Sequence, residues 1–557
     1  MVEDKLVEML KRGLEASQAA GELPPCDPEI RLERPPDPKL GDFSTNLALT
    51  ISSQVGQPPR HVAEVLIGHL PETDLVERVE IAGPGFINFY LSPSWMHQVL
   101  HDCLVTGEAY GTSDEGAGRK VQVEFISANP VGPLHIGNAR AGPYGDALAN
   151  LLEATGHEVE REYLVNDGPD NTQFRLFGAS VQARVREQLG LDFKMPEDGY
   201  MGDYVKEFAA QLIEQQGERL GEIPTDDESA YQFAMLAEEL VLASIAQDCE
   251  RLGIGFDVWF SERELFEEGA IERKLADLKE RGVLYEREGA TWLRTADFGD
   301  EEDRVLVRGT GATTYLMTDL AYAEDKFARG FDLVIYVWGP DHAAQVPSLQ
   351  AGLAAMGAEP EHTEFVIHQI VRLTEGGEPV RMSKRTGQIV TLGELLDDVG
   401  TDVTRFFLLS RSIDSHLDFD LDLAREQSEE NPVYYVQYAH ARICSIQREA
   451  QARGFDTGKL AEADFALLTH PDEARLLRAI ADYPGEVSAA AADRAPHRLT
   501  HFARELAATF HQFYGTCRVL EEAEPELSAA RLALVRGTQI VLSNLLGILR
   551  VSAPERM

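Results

Sequence analysis

One stretch constrains the fold of this chain more than any other, Val123–Arg140, which reads VEFISANPVGPLHIGNAR. A β-branched and apolar run passes into a Pro/Gly turn, then into His-Ile-Gly-Asn, then into alanine-rich helical text. That order predicts strand, loop and helix N-terminus. A helix start presents unpaired backbone N–H groups and a partial positive charge, which suit an anionic ligand. Gly137 removes a side chain where a nucleotide would lie close to the backbone. His135 adds a donor for phosphate oxygens. Alone, the pattern also fits an ordinary strand-loop-helix.

A second stretch far downstream changes the balance. Val380–Gly387, VRMSKRTG, places three cations and a hydroxyl within five residues in an otherwise acidic chain. Such a loop can close over a triphosphate and neutralise charge that grows during phosphoryl transfer. His135 and Arg381 stand 246 positions apart. Together the two stretches resemble the HIGH and KMSKS signatures of class I aminoacyl-tRNA synthetases. The surrounding text resembles arginyl-tRNA synthetases over nearly the whole chain. It includes GDFSTNLAL (41–49), AGPGFINFYL (82–91), REYLVND (161–167), FDVWFSE (256–262) and TWLRTADFGDEEDRVLVR (291–308). Further on are TTYLMTDLAYAEDKF (313–327), NPVYYVQYAHARI (431–443), FHQFYGTCRV (510–519) and the terminal APERM.

Three regions are expected. Residues 1–112 read as an α/β module, with a strand pair over Val79–Leu91 broken at Gly-Pro-Gly. The stretch Glu108–Arg119 has linker character. Residues 113–427 alternate strands and helices, as a Rossmann-type parallel-sheet core would. Lys120–Ser127 reads as its first strand and Asp332–Trp338 as a buried strand of its second half. An insertion breaks the alternation most plainly at Leu189–Ala230. Residues 428–557 read as an α-helical bundle. By resemblance these are a tRNA-contacting module, a class I catalytic domain with its insertion, and an anticodon-binding domain.

The resemblance implies a two-step reaction: L-arginine and ATP form arginyl-adenylate and pyrophosphate, and arginine then passes to the 3'-terminal ribose of its tRNA. ATP is the substrate with Mg²⁺; no structural metal is expected. Pro133, His135, Gly137 and Asn138 would hold ATP with Met382, Ser383 and Lys384. Lys384, with Arg381, would stabilise the leaving pyrophosphate. Asn138 stands where HIGH ends in histidine, and Arg381 and Arg385 depart from KMSKS. An amide still donates, but arginine is a wider, forked donor than lysine, so which cation dominates stays open. For the amino acid, Tyr315 and Asp319 share one face if their stretch is helical. By resemblance Asp319 grips the guanidinium and Tyr315 lies beside it. Glu124, Ser127 and Asn129 match positions near the α-amino end. His342 and Gln345 follow a buried strand, although His342 also fits a satisfied core histidine. For tRNA the matching positions are Phe43 and Asn46 in the first module, then Tyr435, Arg442, Arg448, Tyr514 and Met557. Tyr434 and Tyr438 read as bundle core.

Other readings fare less well. A cysteinyl enzyme of the same class wants zinc ligands, and a small nucleotidyltransferase has no need of the two terminal modules. A tRNA-binding protein without chemistry is favoured by the altered RMSKR loop alone, against His135, Lys384, Tyr315 and Asp319 together.

The five cysteines, Cys26, Cys103, Cys249, Cys444 and Cys517, form no Cys-x-x-Cys pair, which fits a reducing cytoplasm. The acidic, amphipathic N-terminus is no signal peptide, and no apolar run reaches the roughly 18 residues of a membrane span. The resemblance suggests a monomer. Net charge is −43, yet from Asn431 onward 14 Lys+Arg nearly balance 15 Asp+Glu. The acid therefore lies in the rest, leaving the C-terminal part compatible with RNA phosphates. Only 11 of the 51 basic residues are lysine. Abundant acid with scarce lysine implies adaptation to high salt, which screens self-repulsion. The melting temperature and the activity are expected to rise as KCl is raised. Both being highest at low ionic strength would refute that adaptation.

Overall fold

The computed structural model describes residues 2–35, 38–380 and 390–557. It is a mixed α/β structure built around a five-stranded parallel sheet. The strands are β1 (Lys120–Phe125), β2 (Glu158–Val165), β3 (Val258–Ser261), β4 (Leu333–Trp338) and β5 (Thr363–Ile367), in the order β5-β4-β1-β2-β3. The chain runs outward from β1 through β2 to β3, then restarts at β4 on the other side. The switch point between β1 and β4 is where open sheets of this topology leave a ligand crevice. Burial on both faces explains the composition: Val121, Val123 and Phe125 are wholly buried, and so are the polar Gln122 and Glu124 between them.

Two interruptions separate the strands. Between β2 and β3 lie the helices Thr172–Gln188, Asp203–Gln216 and Asp227–Arg251, so the expected insertion at Leu189–Ala230 holds the middle helix and the start of the third. Between β3 and β4 lies a second one, the antiparallel sheet Leu284–Arg287, Ala290–Leu293 and Arg304–Val307. Its short strands alternate too weakly to stand out from the surrounding text.

The N-terminal unit packs the helix Val2–Ala19 and two others on an antiparallel sheet with Phe86–Leu91 at its centre, between Val76–Ala82 and Phe43–Thr45. Gly41 is obligatory there: its φ is +101°, and a Cβ would stand 2.7 Å from the Phe89 carbonyl oxygen. The helix Pro93–Thr106 leaves this unit and packs on two C-terminal helices. The stretch expected to be a linker is tied down. Tyr110 is buried and its hydroxyl donates to the Ile480 carbonyl (3.0 Å), while Asn544 Nδ2 donates to the carbonyls of Gly107 and Tyr110 (3.0 and 2.9 Å). A tyrosine in glycine-rich text was the available sign of anchoring.

The C-terminal helices Pro432–Ala452, Pro471–Ala492, His497–Thr516 and Pro525–Ile548 form a bundle that rests on the helix Ala141–Ala154 behind β1. Tyr144 donates to the Arg494 carbonyl (2.8 Å) and Asn150 to the Ile548 carbonyl (2.8 Å). Arg405 completes the joint. It is fully buried and donates to Asp146 Oδ2 (2.6 Å) and to the carbonyls of Leu252 (2.6 Å) and Leu549 (2.8 Å). Removing one partner of a buried pair strands the other charge, at a cost of about 3–5 kcal/mol. Arg405→Met is therefore expected to lower the free energy of unfolding, read from denaturant titration, by that order, whereas Arg12→Met, in an exposed pair with Glu8, leaves it within about 0.5 kcal/mol.

Candidate active site

The site forms where β1 ends. Ile126 and Ser127 both have left-handed backbone (φ 68° and 40°), a conformation that costs non-glycine residues energy and persists where neighbours enforce it. The end of β2 does the enforcing. The Leu164 N–H donates to Ser127 Oγ (3.1 Å), Asn166 Nδ2 to the Ser127 carbonyl (3.0 Å) and the Tyr163 hydroxyl to the Ala128 carbonyl (2.8 Å). Asn129 Nδ2 donates to Gln173 Oε1 (2.8 Å).

Past Pro133, His135 caps the turn Ile136–Ala139, which runs into the helix Ala141–Ala154. Its Nδ1 accepts the Gly137 N–H (3.1 Å), which puts the neutral ring's proton on Nε2 as a donor. Gly137 has a nearer reason to be glycine than a nucleotide: a Cβ would stand 2.9 Å from His135 Cε1. Asn138 lies in the same turn. Arg140, next in the chain, is buried and donates to the carbonyls of Arg411 (3.0 Å), Ser412 (2.7 Å), Ile413 (3.1 Å) and Ser415 (2.5 Å).

The two signature stretches are stitched together by backbone. The Leu392 N–H donates to the Leu134 carbonyl (2.8 Å) and the Ile136 N–H to the Val390 carbonyl (3.3 Å). The flank following the basic loop thus pairs with the His135 loop. Arg381, Met382, Ser383, Lys384 and Arg385 themselves lie outside the described residues.

Across the sheet's end sits the helix Tyr315–Ala328. At 100° per residue, Tyr315, Asp319, Tyr322 and Lys326 fall within about 60° of arc, while Met317, Leu320 and Ala321 belong with Tyr322 to a separate apolar core. The expected shared face of Tyr315 and Asp319 is therefore present. Tyr315 is 55% exposed at the helix start. Asp319 is partly reached by solvent. Burial, then the nearby Glu262 and Glu124, push its carboxyl up to about 8, against a lowering pull from Lys326. Glu262 is pushed up to about 7 by burial, although the Gly168 N–H (3.2 Å) donates to it and Thr318 holds it down. Glu124 is buried and paired with Lys326 Nζ at 2.5 Å. The pocket thus has one carboxylate with a partner and two that an incoming cation would ionise. Sequence reasoning passed over Glu262 and Lys326. For Lys326 the available signal was acid in strands buried on both faces, Glu124 and Glu162, where a charge must find a partner.

After β4 the chain makes a turn over Pro340–Gln345. His342 and Gln345 are exposed at the switch point and joined to each other (Nδ1 to Oε1, 3.3 Å), so His342 is no core histidine.

The residues expected to meet RNA fall in two places. Asn46 is exposed, but Phe43 is 1% exposed and packs inside the N-terminal unit, so it has no surface to offer RNA. In the bundle, helix spacing gathers Tyr435, Arg442 and Tyr514. The Tyr435 ring lies 5.1 Å from that of His511, and the Arg442 guanidinium stands 5.2 Å from the Tyr514 ring. Tyr434 and Tyr438 are half-buried and stacked on each other at 6.5 Å, and Arg442 donates to the Tyr438 hydroxyl, so neither is core. It is Tyr435 that packs against the core. Arg448 donates to the Glu555 carbonyl (3.3 and 3.2 Å), holding the tail that ends at the exposed Met557.

Three family models match along the chain: "Arginyl tRNA synthetase N terminal domain" over residues 4–91, "tRNA synthetases class I (R), catalytic domain" over 99–407 and "DALR anticodon binding domain" over 436–557. A protein of Syntrophotalea carbinolica named arginine–tRNA ligase is 48% identical, with 95% of each chain covered. One of the same name from Moorella thermoacetica is 47% identical over 99% of this chain and 98% of its own. The solved arginyl-tRNA synthetase of Thermus thermophilus shares the fold with a TM-score of 0.77 over the full length of both, at 21% identity. From its N-terminal unit through its parallel sheet to its helical bundle, the chain belongs to the arginyl-tRNA synthetase family of class I.

Proposed function

We propose that this chain is an arginine–tRNA ligase working in two steps. The carboxylate of L-arginine attacks the α-phosphorus of ATP and the bond to pyrophosphate breaks. A terminal ribose hydroxyl of tRNA then attacks the adenylate carbonyl and AMP leaves. Neither step needs a covalent link to protein, so the task is positioning and charge stabilisation. The observation that carries the assignment is the pair of acids Asp319 and Glu262, neither in an ion pair among the described residues, with Glu262 near enough to help raise the Asp319 carboxyl. Two carboxyls without a cation suit a planar guanidinium, which they can grip in fixed geometry.

In this reading Asp319 and Glu262 take the guanidinium and Tyr315 covers it. Glu124, Ser127 and Asn129 hold the α-amino end, and His342 and Gln345 form the rim. His135 Nε2 donates to phosphate, with Pro133, Gly137 and Asn138 lining the adenosine side. Met382, Ser383, Lys384 and Arg381 act on the triphosphate, which arrives with its Mg²⁺. Losing one such cation should cost on the order of 10²–10³ in rate. Residues 1–112 meet the tRNA through Asn46, 113–427 perform the chemistry, and 428–557 read unpaired bases by aromatic stacking and arginine contacts through Tyr435, Arg442 and Tyr514. Arg448 and Met557 complete that face. The protein works as a cytoplasmic monomer with a salt-tolerant acidic surface; among the described residues no helix is long and apolar enough to cross a membrane.

The direct test is ATP–pyrophosphate exchange dependent on arginine, with and without cognate tRNA. Exchange with arginine alone among amino acids is expected, and its absence in folded protein at every salt concentration would overturn the assignment. Asp319→Asn should raise the KM for arginine on the order of 10²–10³, since truncating one side of a buried charge pair costs about 2–5 kcal/mol. The raised carboxyl also sets a pH dependence. Below about 8 the free Asp319 is mostly protonated, and guanidinium binding must displace that proton. Arginine affinity is therefore expected to rise from pH 6 to about 8, and calorimetry near pH 7 should detect proton release, reduced in Asp319→Asn. The same shift makes the ligand-free fold lose stability as pH rises from roughly 4 to 8, because the folded state holds the proton that the unfolded chain has given up.

A further inference from the structure

The helix that carries Asp319 also carries a lysine that the assigned chemistry leaves unused. Lys326 is wholly buried, seven residues beyond Asp319 on the same face. A buried ammonium is costly unless several groups replace its water. Every element around Lys326 contributes one. From β1, Glu124 meets Nζ at 2.5 Å. From β2, Glu162 stands at 3.6 Å. From β4, the Tyr336 ring lies under Nζ at 4.3 Å, and from the helix itself the Tyr322 ring at 4.2 Å. Asp319 faces the same space on the pocket side, and Arg329 flanks it one turn on.

The two carboxylates are not equivalent. Glu162 has other cover: Arg329 donates at 2.6 Å, Gln122 at 3.1 Å, and the Tyr322 hydroxyl also donates. Among the described residues, Lys326 alone donates to the Glu124 carboxylate. Removing Arg329 would leave Glu162 with Lys326, Tyr322 and Gln122. Removing Lys326 would leave Glu124 with nothing to fix its orientation. Lys326 also supplies the attraction that opposes burial at Asp319.

Resting on the arginine–tRNA ligase reading, we propose that Lys326 is a positioning residue for amino-acid recognition. Its ammonium locks the Glu124 carboxylate at the floor of the pocket for the substrate's α-amino group. It also tempers the negative charge there, so that Asp319 ionises when a guanidinium arrives. It touches no substrate and acts through Glu124 and Asp319. The two walls of the amino-acid pocket, β1 and the helix Tyr315–Ala328, are thereby set relative to each other by one buried charge.

The test compares Lys326→Gln, Lys326→Arg and Arg329→Gln in the full-length protein. It uses arginine-dependent exchange across pH 6–9 and calorimetry with L-arginine alone. Lys326→Gln should raise the KM for arginine on the order of tenfold or more, change kcat much less, and move the rising limb of arginine affinity to higher pH. Lys326→Arg keeps the charge but offers a wider, forked donor. It should leave the limb in place and still raise KM several-fold. Arg329→Gln should lower the melting temperature and leave both KM and limb unmoved. Wild-type KM in Lys326→Arg, or a Lys326→Gln protein that differs only in melting temperature, would overturn the inference. If Lys326→Gln does not fold, Lys326→Arg decides alone. Wild-type protein that neither binds L-arginine nor exchanges would instead bring down the ligase reading, which separates the two failures.

Discussion

A carboxylate inside a parallel sheet needs a partner, and the partner ties the sheet to whatever carries it. Glu124, Glu160 and Glu162 stand on adjacent strands of one face, where the interior would otherwise be apolar. Lys326 and Arg329, one turn apart on the helix Tyr315–Ala328, answer them. Burial of that much charge is no route to high stability, because desolvation offsets most of the attraction. Its effect is to set where the helix sits. Lys326 is the one of the two that meets Glu124 on β1, so sliding the helix would unpair Glu124, and Asp319 and Tyr315 are held relative to the end of β1. The pocket proposed for the amino acid depends on that registration.

The same logic recurs at larger scale. The helix that continues the His135 turn meets the sheet on one side and the C-terminal bundle on the other. Tyr144, Asn150 and the Asp146–Arg405 pair each reach the bundle's backbone, directly or through one side chain. Arg140 spends its guanidinium on four carbonyls of the 411–415 segment, whose neighbour Ser410 accepts from His501 of the bundle (3.0 Å). The helix His497–Thr516 that carries His501 also carries Tyr514 and His511. The cluster around Tyr514 and the His135 turn are therefore attached to one hydrogen-bonded body.

Several features were legible because they follow from local pattern. The strand at Lys120–Phe125, the turn after it and the helical text from Asn431 all obey short-range rules of periodicity and capping. Tyr315 and Asp319 were placed on one face by their spacing of four. Spacing could not say which face of a helix meets water. Tyr434 and Tyr438 were expected inside, yet they are half-buried like Tyr435, and His511 packs against both Tyr435 and Tyr438. Phe43 stood among polar residues and still fills the core, because the neighbouring strand Phe86–Leu91 covers it. The short strands at 284–307 were missed because their alternation is weak, and the anchored Tyr110 because its partners are remote in sequence.

By itself, then, the amino-acid order determined the strand-loop-helix around His135, the helical bundle and the family's motifs, all of which are written within stretches of about twenty residues or fewer. The tertiary structure alone decided what the charges do. Glu124 and Lys326 are 202 residues apart, Asp146 and Arg405 are 259 apart, and no local rule links them. The reason is physical: a charge's environment depends on distance and dielectric in space, and both come into being only when the chain has folded.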